Sequence, residues 1–98
     1  MDRRARIEAK LRETLDATYV LVVDESEHHA GHAGAREGGG HFRAVVVSQR
    51  FDGKRPVERQ RIVYAALAEE MGRDIHALSM QTLTPVQWEE QREQFAGP

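Results

Sequence analysis

A long interruption between two apolar segments constrains this chain of 98 residues more than any other feature. The interruption, Asp24 to Phe42, reads DESEHHAGHAGAREGGGHF and holds four of the five histidines and most of the glycines. Periodic apolar sequence lies on both sides, so the segment must connect two ordered elements. Connections of about fifteen residues without regular structure are uncommon in small domains and are usually functional or disordered. We therefore predict one domain, residues 1–98, with a flexible His/Gly-rich loop over residues 26–40.

The sequence before the loop predicts a helix followed by a strand. Three apolar residues recur at every fourth position over residues 3–16: Ile7, Leu11 and Leu15. This spacing places them on one stripe, which is typical of an amphipathic helix. Residues 19–23 form a short apolar run rich in valine, and they predict a strand that is covered on both faces.

The sequence directly after the loop predicts a second strand and a second helix. Residues 41–48 alternate, with Phe42, Ala44 and Val46 on one face, which indicates a strand antiparallel to the first. Pro56 suits the first turn of a helix, where its missing N–H costs nothing. We expect this helix to carry Val63, Leu67 and Met71 on its buried stripe and to end at Gly72.

The last quarter of the chain predicts a third strand and a third helix. Residues 74–83 alternate, with His76, Leu78 and Met80 on one face. Thr84 to Gln87 has the residues of a capping box, and the helix that it begins should run to about Phe95. The predicted order is α–β–β–α–β–α, an α+β fold with a three-stranded mixed sheet and helices on one face.

Composition excludes several classes of protein. The chain has no cysteine, so it supplies neither disulfides nor thiolates. No apolar run approaches the roughly 20 residues that span a bilayer, and the N-terminus lacks a signal peptide. We therefore expect a cytoplasmic protein without a membrane partner. Nothing in the sequence indicates a nucleophile elbow or a phosphate loop, so we do not expect an enzyme.

Three segments together resemble the BolA family. They are DES at 24–26, HF at 41–42, and the block VVSQRFDGK…ERQRIVYAALAEE…IHAL over 46–78. The resemblance extends from Ile7 to Trp88. It implies a class II KH-like fold with the element order given above. It also implies a heterodimer with a monothiol glutaredoxin that carries a [2Fe-2S] cluster, and a role in iron–sulfur trafficking or in iron and redox regulation during stress.

The same resemblance implies two histidine ligands for the shared cluster. They fall on His29, from the pattern DES-x-x-His, and on His76, from the His-Ala-Leu segment. This sequence has an extra His32 in a longer loop, so the loop ligand stays open between His29 and His32. His41 opens a strand, and we expect it to stabilise the loop's return by hydrogen bonding rather than to bind metal.

The absence of cysteine decides what kind of cluster site this chain can form. Iron–sulfur clusters normally require thiolates, so a cluster here must be shared with a partner that provides them. Imidazole in place of thiolate raises the cluster's potential and makes ligation pH-dependent. Such a site suits an adaptor. The zincin pattern is absent, because Glu27 precedes the pair His28-His29 instead of lying between two histidines one turn apart.

A basic segment supports an alternative function, DNA-binding transcriptional regulation. Five basic residues lie within residues 50–61: Arg50, Lys54, Arg55, Arg59 and Arg61. Phosphate contacts from such a patch would give an affinity that falls as salt rises. The turn at 51–54 lacks the Gly-x-x-Gly clamp of KH domains, and the net charge of the chain is -2. The hypothesis of a shared cluster is stronger than that of DNA binding, because it alone explains the histidines.

Overall fold

The computed structural model describes residues 2–26 and 39–96, with side chains described as far as residue 93. The elements, in chain order, are α1 (Arg3–Thr14), β1 (Tyr19–Asp24), β2 (Gly40–Val47), α2 (Pro56–Ala66), β3 (Ile75–Leu83) and α3 (Pro85–Ala96). A short 3₁₀ turn, Gln49–Phe51, follows β2. The predicted element order and the α+β class are confirmed. No helix within the described ranges is long and apolar enough to cross a membrane.

The three strands form one mixed sheet in the order β1-β2-β3. β1 and β2 are antiparallel. Their register places Tyr19 opposite Val47 at one end and Asp24 opposite Phe42 at the other. β2 and β3 are parallel and end with Val47 opposite Leu83. A parallel neighbour needs a crossover connection, and α2 provides it. The predicted antiparallel pairing and mixed sheet are both confirmed.

The main core lies between one face of the sheet and the helices α1 and α2. Its buried apolar residues come from all three strands, both helices and the 3₁₀ turn, and they include Ile7, Leu11, Val20, Val22, Phe42, Ala44, Val46, Phe51, Val63, Leu67 and Ile75. The apolar stripe of α1 and the inward alternation of β2 are as predicted. Burial of these side chains provides the main driving force for folding.

The last helix, α3, contacts the other face of the sheet. Trp88 stacks on Tyr19 with ring centroids 4.6 Å apart and an interplanar angle of 17°. Val47 and Leu83 are buried but lie outside the main core cluster. The predicted placement of helices on one face therefore holds for α1 and α2, whereas α3 covers one end of the opposite face.

The prediction that β1 is covered on both faces is wrong. Val20 and Val22 are buried in the core, but Leu21 between them is 44% exposed. Trp88 stacks on Tyr19 at the start of the strand, and Leu21 lines the groove beside it. An apolar run in β1 therefore does not mean two covered faces.

Helix α2 ends at Ala66, not at Gly72 as predicted. The N–H of Leu67 is shared between the carbonyls of Val63 and Tyr64, at 3.1 and 3.2 Å, which tightens the last turn. Turns continue from there to Gly72, whose φ of 83° suits glycine. Leu67 is still buried and Met71 still packs against the core, so the predicted apolar stripe continues beyond the end of the helix.

The predicted capping box at the start of α3 is confirmed. Thr84 Oγ1 accepts a hydrogen bond from the Gln87 N–H at 3.1 Å. Gln87 Oε1 accepts one from the Thr84 N–H at 2.9 Å. Two donors that the helix leaves unpaired are thereby satisfied.

A buried hydroxyl joins α1 to the end of β2. Ser48 is 0% exposed, and its Oγ donates to the Leu15 carbonyl at 2.6 Å and accepts from the Arg50 N–H at 3.1 Å. Ser48→Ala leaves both partners without this hydroxyl, so the free energy of unfolding should fall by about 1–3 kcal/mol in urea denaturation. The matched control is Ser79→Ala on an exposed position of β3, which should change it by no more than about 0.5 kcal/mol. Equal effects of the two variants would contradict a structural role for Ser48.

Candidate metal-ligand site

His76 lies at an irregularity where β3 begins. Gly40 pairs with Ile75 and His41 pairs with Ala77, so the register shifts by one residue and His76 is the extra residue of a bulge. Ile75 is fully buried, whereas His76 is exposed. The predicted alternation breaks here, since Leu78 and Met80 farther along β3 pack against the core. The bulge thus presents one imidazole to solvent.

The structure brings a second histidine beside it. The rings of His41 and His76 have centroids 5.2 Å apart with an interplanar angle of 45°. His41 is half-buried, and it lies on the face opposite Phe42, which is buried in the core. The sequence alone did not indicate that these two histidines are neighbours. Only the parallel pairing of β2 with β3 places them together, and no local pattern in the sequence reports that pairing.

Two residues that directly follow β1 form hydrogen bonds with the main chain of His41. Its carbonyl accepts a hydrogen bond from the Glu25 N–H at 2.7 Å. Its N–H donates to Ser26 Oγ at 3.1 Å. The prediction that His41 stabilises the loop's return by hydrogen bonding is confirmed for its main chain. The first residues after the loop are therefore fixed relative to the sheet.

The glycines just before His41 lie close to other groups. A Cβ on Gly39 would come within 2.8 Å of His76 Cβ, and a Cβ on Gly40 within 2.6 Å of the Phe42 ring. The Gly40 N–H donates to the Asp74 carbonyl at 2.9 Å. The return of the loop therefore passes directly against the bulge that carries His76.

Asp24 organises the other end of the loop. Its Oδ1 accepts a hydrogen bond from the Ser26 N–H at 2.9 Å. Burial acts to raise the pKa of this carboxyl, but the hydroxyl and N–H of Ser26, together with the charge of Arg3, outweigh burial and lower the pKa. The charged carboxylate thus holds the Ser26 side chain that receives the His41 N–H.

The predicted loop ligands His29 and His32, and their neighbour His28, lie outside the described residues. Within residues 2–26 and 39–96, no group of three or more histidine, aspartate or glutamate side chains could hold a metal ion. The pair His41 and His76 offers two nitrogen donors at most. A metal or cluster site at this position would therefore need further ligands from outside the described residues.

The basic segment does not form a uniform positive patch. Arg50 pairs with Asp16 at 2.9 Å, and Arg55 pairs with Glu58 at 3.3 Å. Arg59 donates to the carbonyls of Lys54 and Thr82 and to Gln87 Oε1, at 2.9, 3.1 and 2.8 Å. Arg59 is therefore a structural link between α2, β3 and α3. The other two predicted residues, Lys54 and Arg61, are exposed, and their charges help the Arg55 N–H to lower the pKa of Glu58.

The architecture defines a class of protein, a small KH-like α+β domain with an imidazole pair where two strands begin. A family model described as BolA-like protein matches residues 11–87. The chain is 43% identical over 96 residues to the Escherichia coli K12 protein named DNA-binding transcriptional regulator BolA, covering 97% of this chain and 89% of that protein. It is 44% identical over 94 residues to human BolA-like protein 1, covering 96% of this chain and 66% of the relative.

A solved structure of a BolA domain has the same fold as this chain. The BolA domain of SufE1 from Arabidopsis thaliana superposes with a TM-score of 0.75 at 39% identity, covering 88% of this chain and 95% of that domain. The chain belongs to the BolA family. The human relative is longer, since the chain spans just under two thirds of its length.

The Asp24 contact predicts an acid-dependent stability. Because the folded state lowers the pKa of Asp24 below its ordinary value of 3.8, its charge stabilises the fold above that value, and the contribution is lost as pH falls through the lower folded pKa. Asp24→Asn should therefore unfold more easily than the wild type in urea near neutral pH. The difference should shrink towards about pH 2.5, where most carboxyls are protonated. Asp52→Asn, on an exposed turn, is the control, and a difference for Asp24→Asn that is constant with pH would refute the assignment.

Proposed function

We propose that this protein shares a [2Fe-2S] cluster with a monothiol glutaredoxin and uses His76 and a loop histidine, His29, as its ligands. The observation that carries the proposal is the exposed imidazole of His76 on a bulge at the base of the histidine-rich loop. A bulge re-aims a side chain out of the regular alternation, and bulges are often found at functional sites.

The donor set supports a shared cluster rather than a cluster held by this chain alone. The chain has no cysteine, so every thiolate must come from the partner. Ser26 and Gly39 flank the segment that holds His29 and His32, and Gly39 lies against His76. The described ends of that segment therefore lie beside the bulge that carries His76. His41 is an additional candidate, because its ring is next to that of His76.

Each part of the chain has a role in this proposal. When bound, the cluster supplies electron-transfer or cluster-transfer chemistry, with a potential raised by imidazole ligation. His76 offers an imidazole nitrogen as a donor at a solvent-open position. Asp24 and Ser26 keep the loop's base in place. The chain would act as an adaptor in cytoplasmic iron–sulfur trafficking or iron and redox regulation, and not as an enzyme.

One comparison supports the iron–sulfur role. A BolA domain is part of the Arabidopsis protein named SufE1, and this chain resembles that domain over nearly the domain's whole length. The same fold is thus covalently joined to a SufE-like protein. An adaptor that delivers or senses a cluster is consistent with that arrangement.

The proposal predicts a histidine-dependent change in the cluster's environment. Cluster-loaded monothiol glutaredoxin titrated anaerobically with this protein should show a new visible circular dichroism spectrum. His76→Ala should abolish the new spectrum, because the partner's cluster loses its ligand from this chain. The exposed position of His76 means that the substitution should leave the fold intact, which far-ultraviolet circular dichroism checks.

The loop ligand is decided by the same titration. His29→Ala should reproduce the loss seen with His76→Ala, whereas His28→Ala, the matched neighbour, should behave as the wild type. His32→Ala and His41→Ala identify the second ligand if His29→Ala has no effect. An unchanged cluster spectrum with the wild-type protein, in the absence of any complex, would overturn the proposal.

DNA-binding regulation is the second candidate function. It is favoured by the Escherichia coli relative, whose name describes it as a DNA-binding transcriptional regulator. In this chain the available charges are fewer than the sequence indicates, because Arg50, Arg55 and Arg59 are engaged with neighbouring groups. Phosphate contacts would therefore come mainly from Lys54, which lies just before α2, and from Arg61, which lies on α2.

The DNA hypothesis has its own test. Anisotropy of a labelled duplex should show binding that weakens with salt, and Lys54→Ala with Arg61→Ala should reduce the slope of log Kd against log salt by about 2. Arg73→Ala, which removes an exposed charge from a different turn, serves as the control and should leave the slope unchanged. Absence of salt-dependent binding by the wild type would remove this candidate.

A further inference from the structure

Among the described residues, nothing covers the sheet face opposite α1 and α2 beyond the end where α3 packs. A groove of about 690 Å³ lies between α3 and the sheet, with Tyr19, Leu21, Val45, Gln81 and Trp88 in its lining. A second hollow of about 210 Å³ adjoins it, shares Leu21, Val45 and Gln81, and extends to Val23 and Arg43. We call these two hollows together the open face. Its walls are mainly apolar and its rim is polar.

The open face is continuous with the histidine pair. Leu21, Val45 and Gln81 form one row across the three strands, and Val23, Arg43 and Ser79 form the next row. His41 lies one row farther on, with its ring against His76. Val45 is four positions from His41 along β2, which is about 13 Å at the usual rise of a strand.

We propose that the open face is the docking surface for the thiolate-bearing cluster partner, and this inference rests on the proposed function. Two imidazole ligands bury too little area to hold a protein complex. A standard interface buries about 800 Å² on each partner, a patch about 30 Å across. A partner whose cluster is bound at His76 therefore covers surface well beyond that residue, and the row at Leu21 is within that radius.

The other side of the sheet cannot serve this purpose. The helix-facing residues Val22, Ala44 and Val46 are buried beneath α1 and α2. Three further exposed apolar side chains, Val57 and Tyr64 on α2 and Val86 on α3, do not belong to the sheet. The open face is thus the described apolar surface that lies beside the imidazoles.

The lining of the open face indicates the chemistry of the partner's contact. The Leu21 side chain, together with Val45 and the Trp88 ring, suits an aliphatic or aromatic anchor placed near the partner's cluster-binding thiolate. At the rim, Arg43 is paired with Glu25 at 3.7 Å and Arg92 with Glu89 at 3.5 Å. Because the rim carries both signs of charge, apolar contact should dominate the affinity.

The test compares two exposed aliphatic residues. Leu21, in the open face, is 44% exposed, and Val57, on α2, is 46% exposed. Leu21→Gln should raise the Kd for cluster-loaded monothiol glutaredoxin about tenfold in isothermal titration, as for a central interface residue. Val57→Gln should leave the Kd within about twofold, as expected for a residue outside the interface. Similar thermal unfolding of both variants shows that the sheet is intact.

A second measurement reports on the groove directly. Trp88 is the single tryptophan, so ¹⁵N-labelled protein gives one indole signal. That signal should shift when unlabelled, cluster-loaded glutaredoxin is added. If the wild type forms the complex through His76 but the indole signal stays in place and Leu21→Gln binds normally, the docking inference fails and the proposed function stands. If the wild type forms no complex, both fail.

Discussion

The parallel pairing of β2 with β3 is the interaction on which the rest of this structure depends. It makes β2 the central strand, requires the α2 crossover, and thereby covers one face of the sheet with helices. It also aligns the starts of the two strands, so His41 and His76 meet although 35 positions separate them in the chain. An antiparallel β3 would have put His76 at the other end of the sheet. The core and the candidate site therefore have the same origin.

The bulge at His76 follows from what surrounds it. Ile75 must be buried to complete the core, and its N–H and carbonyl are hydrogen-bonded to Glu70 and Gly72. Leu78 and Met80 must also pack inward. An even alternation cannot satisfy both requirements, because Ile75 and Leu78 are an odd number of positions apart. The extra residue in the bulge resolves the conflict, and the residue that becomes exposed is a histidine.

Periodicity and local chemistry in the sequence were sufficient for the elements, the core stripes and the Thr84–Gln87 capping box, since these depend on neighbours within a few residues. The bulge and the exposed Leu21 were not predictable, because each depends on contacts between distant segments. The early end of α2 comes from a change in local hydrogen bonding that the apolar periodicity does not report. For the site, His76 was identified by family resemblance and not by pattern, while its proximity to His41 required the strand register. In the basic segment, by contrast, the sequence indicates more free positive charge than the structure leaves. Of the five charges counted along the chain, those of Arg50 and Arg55 are paired with carboxylates, and Arg59 is held by hydrogen bonds to neutral groups.

The two incomplete features of this protein lie on the same side of the sheet. Two imidazoles lie side by side, with no group of three or more possible metal ligands in the described residues. A sheet face with an exposed leucine and an aromatic-lined groove is an unfinished packing surface. A free-standing domain gains nothing from either, because exposed apolar area is a liability and a lone imidazole pair binds metal weakly. One partner that brings thiolates and an apolar anchor would complete both at once, which is the physical argument for the proposed heterodimer.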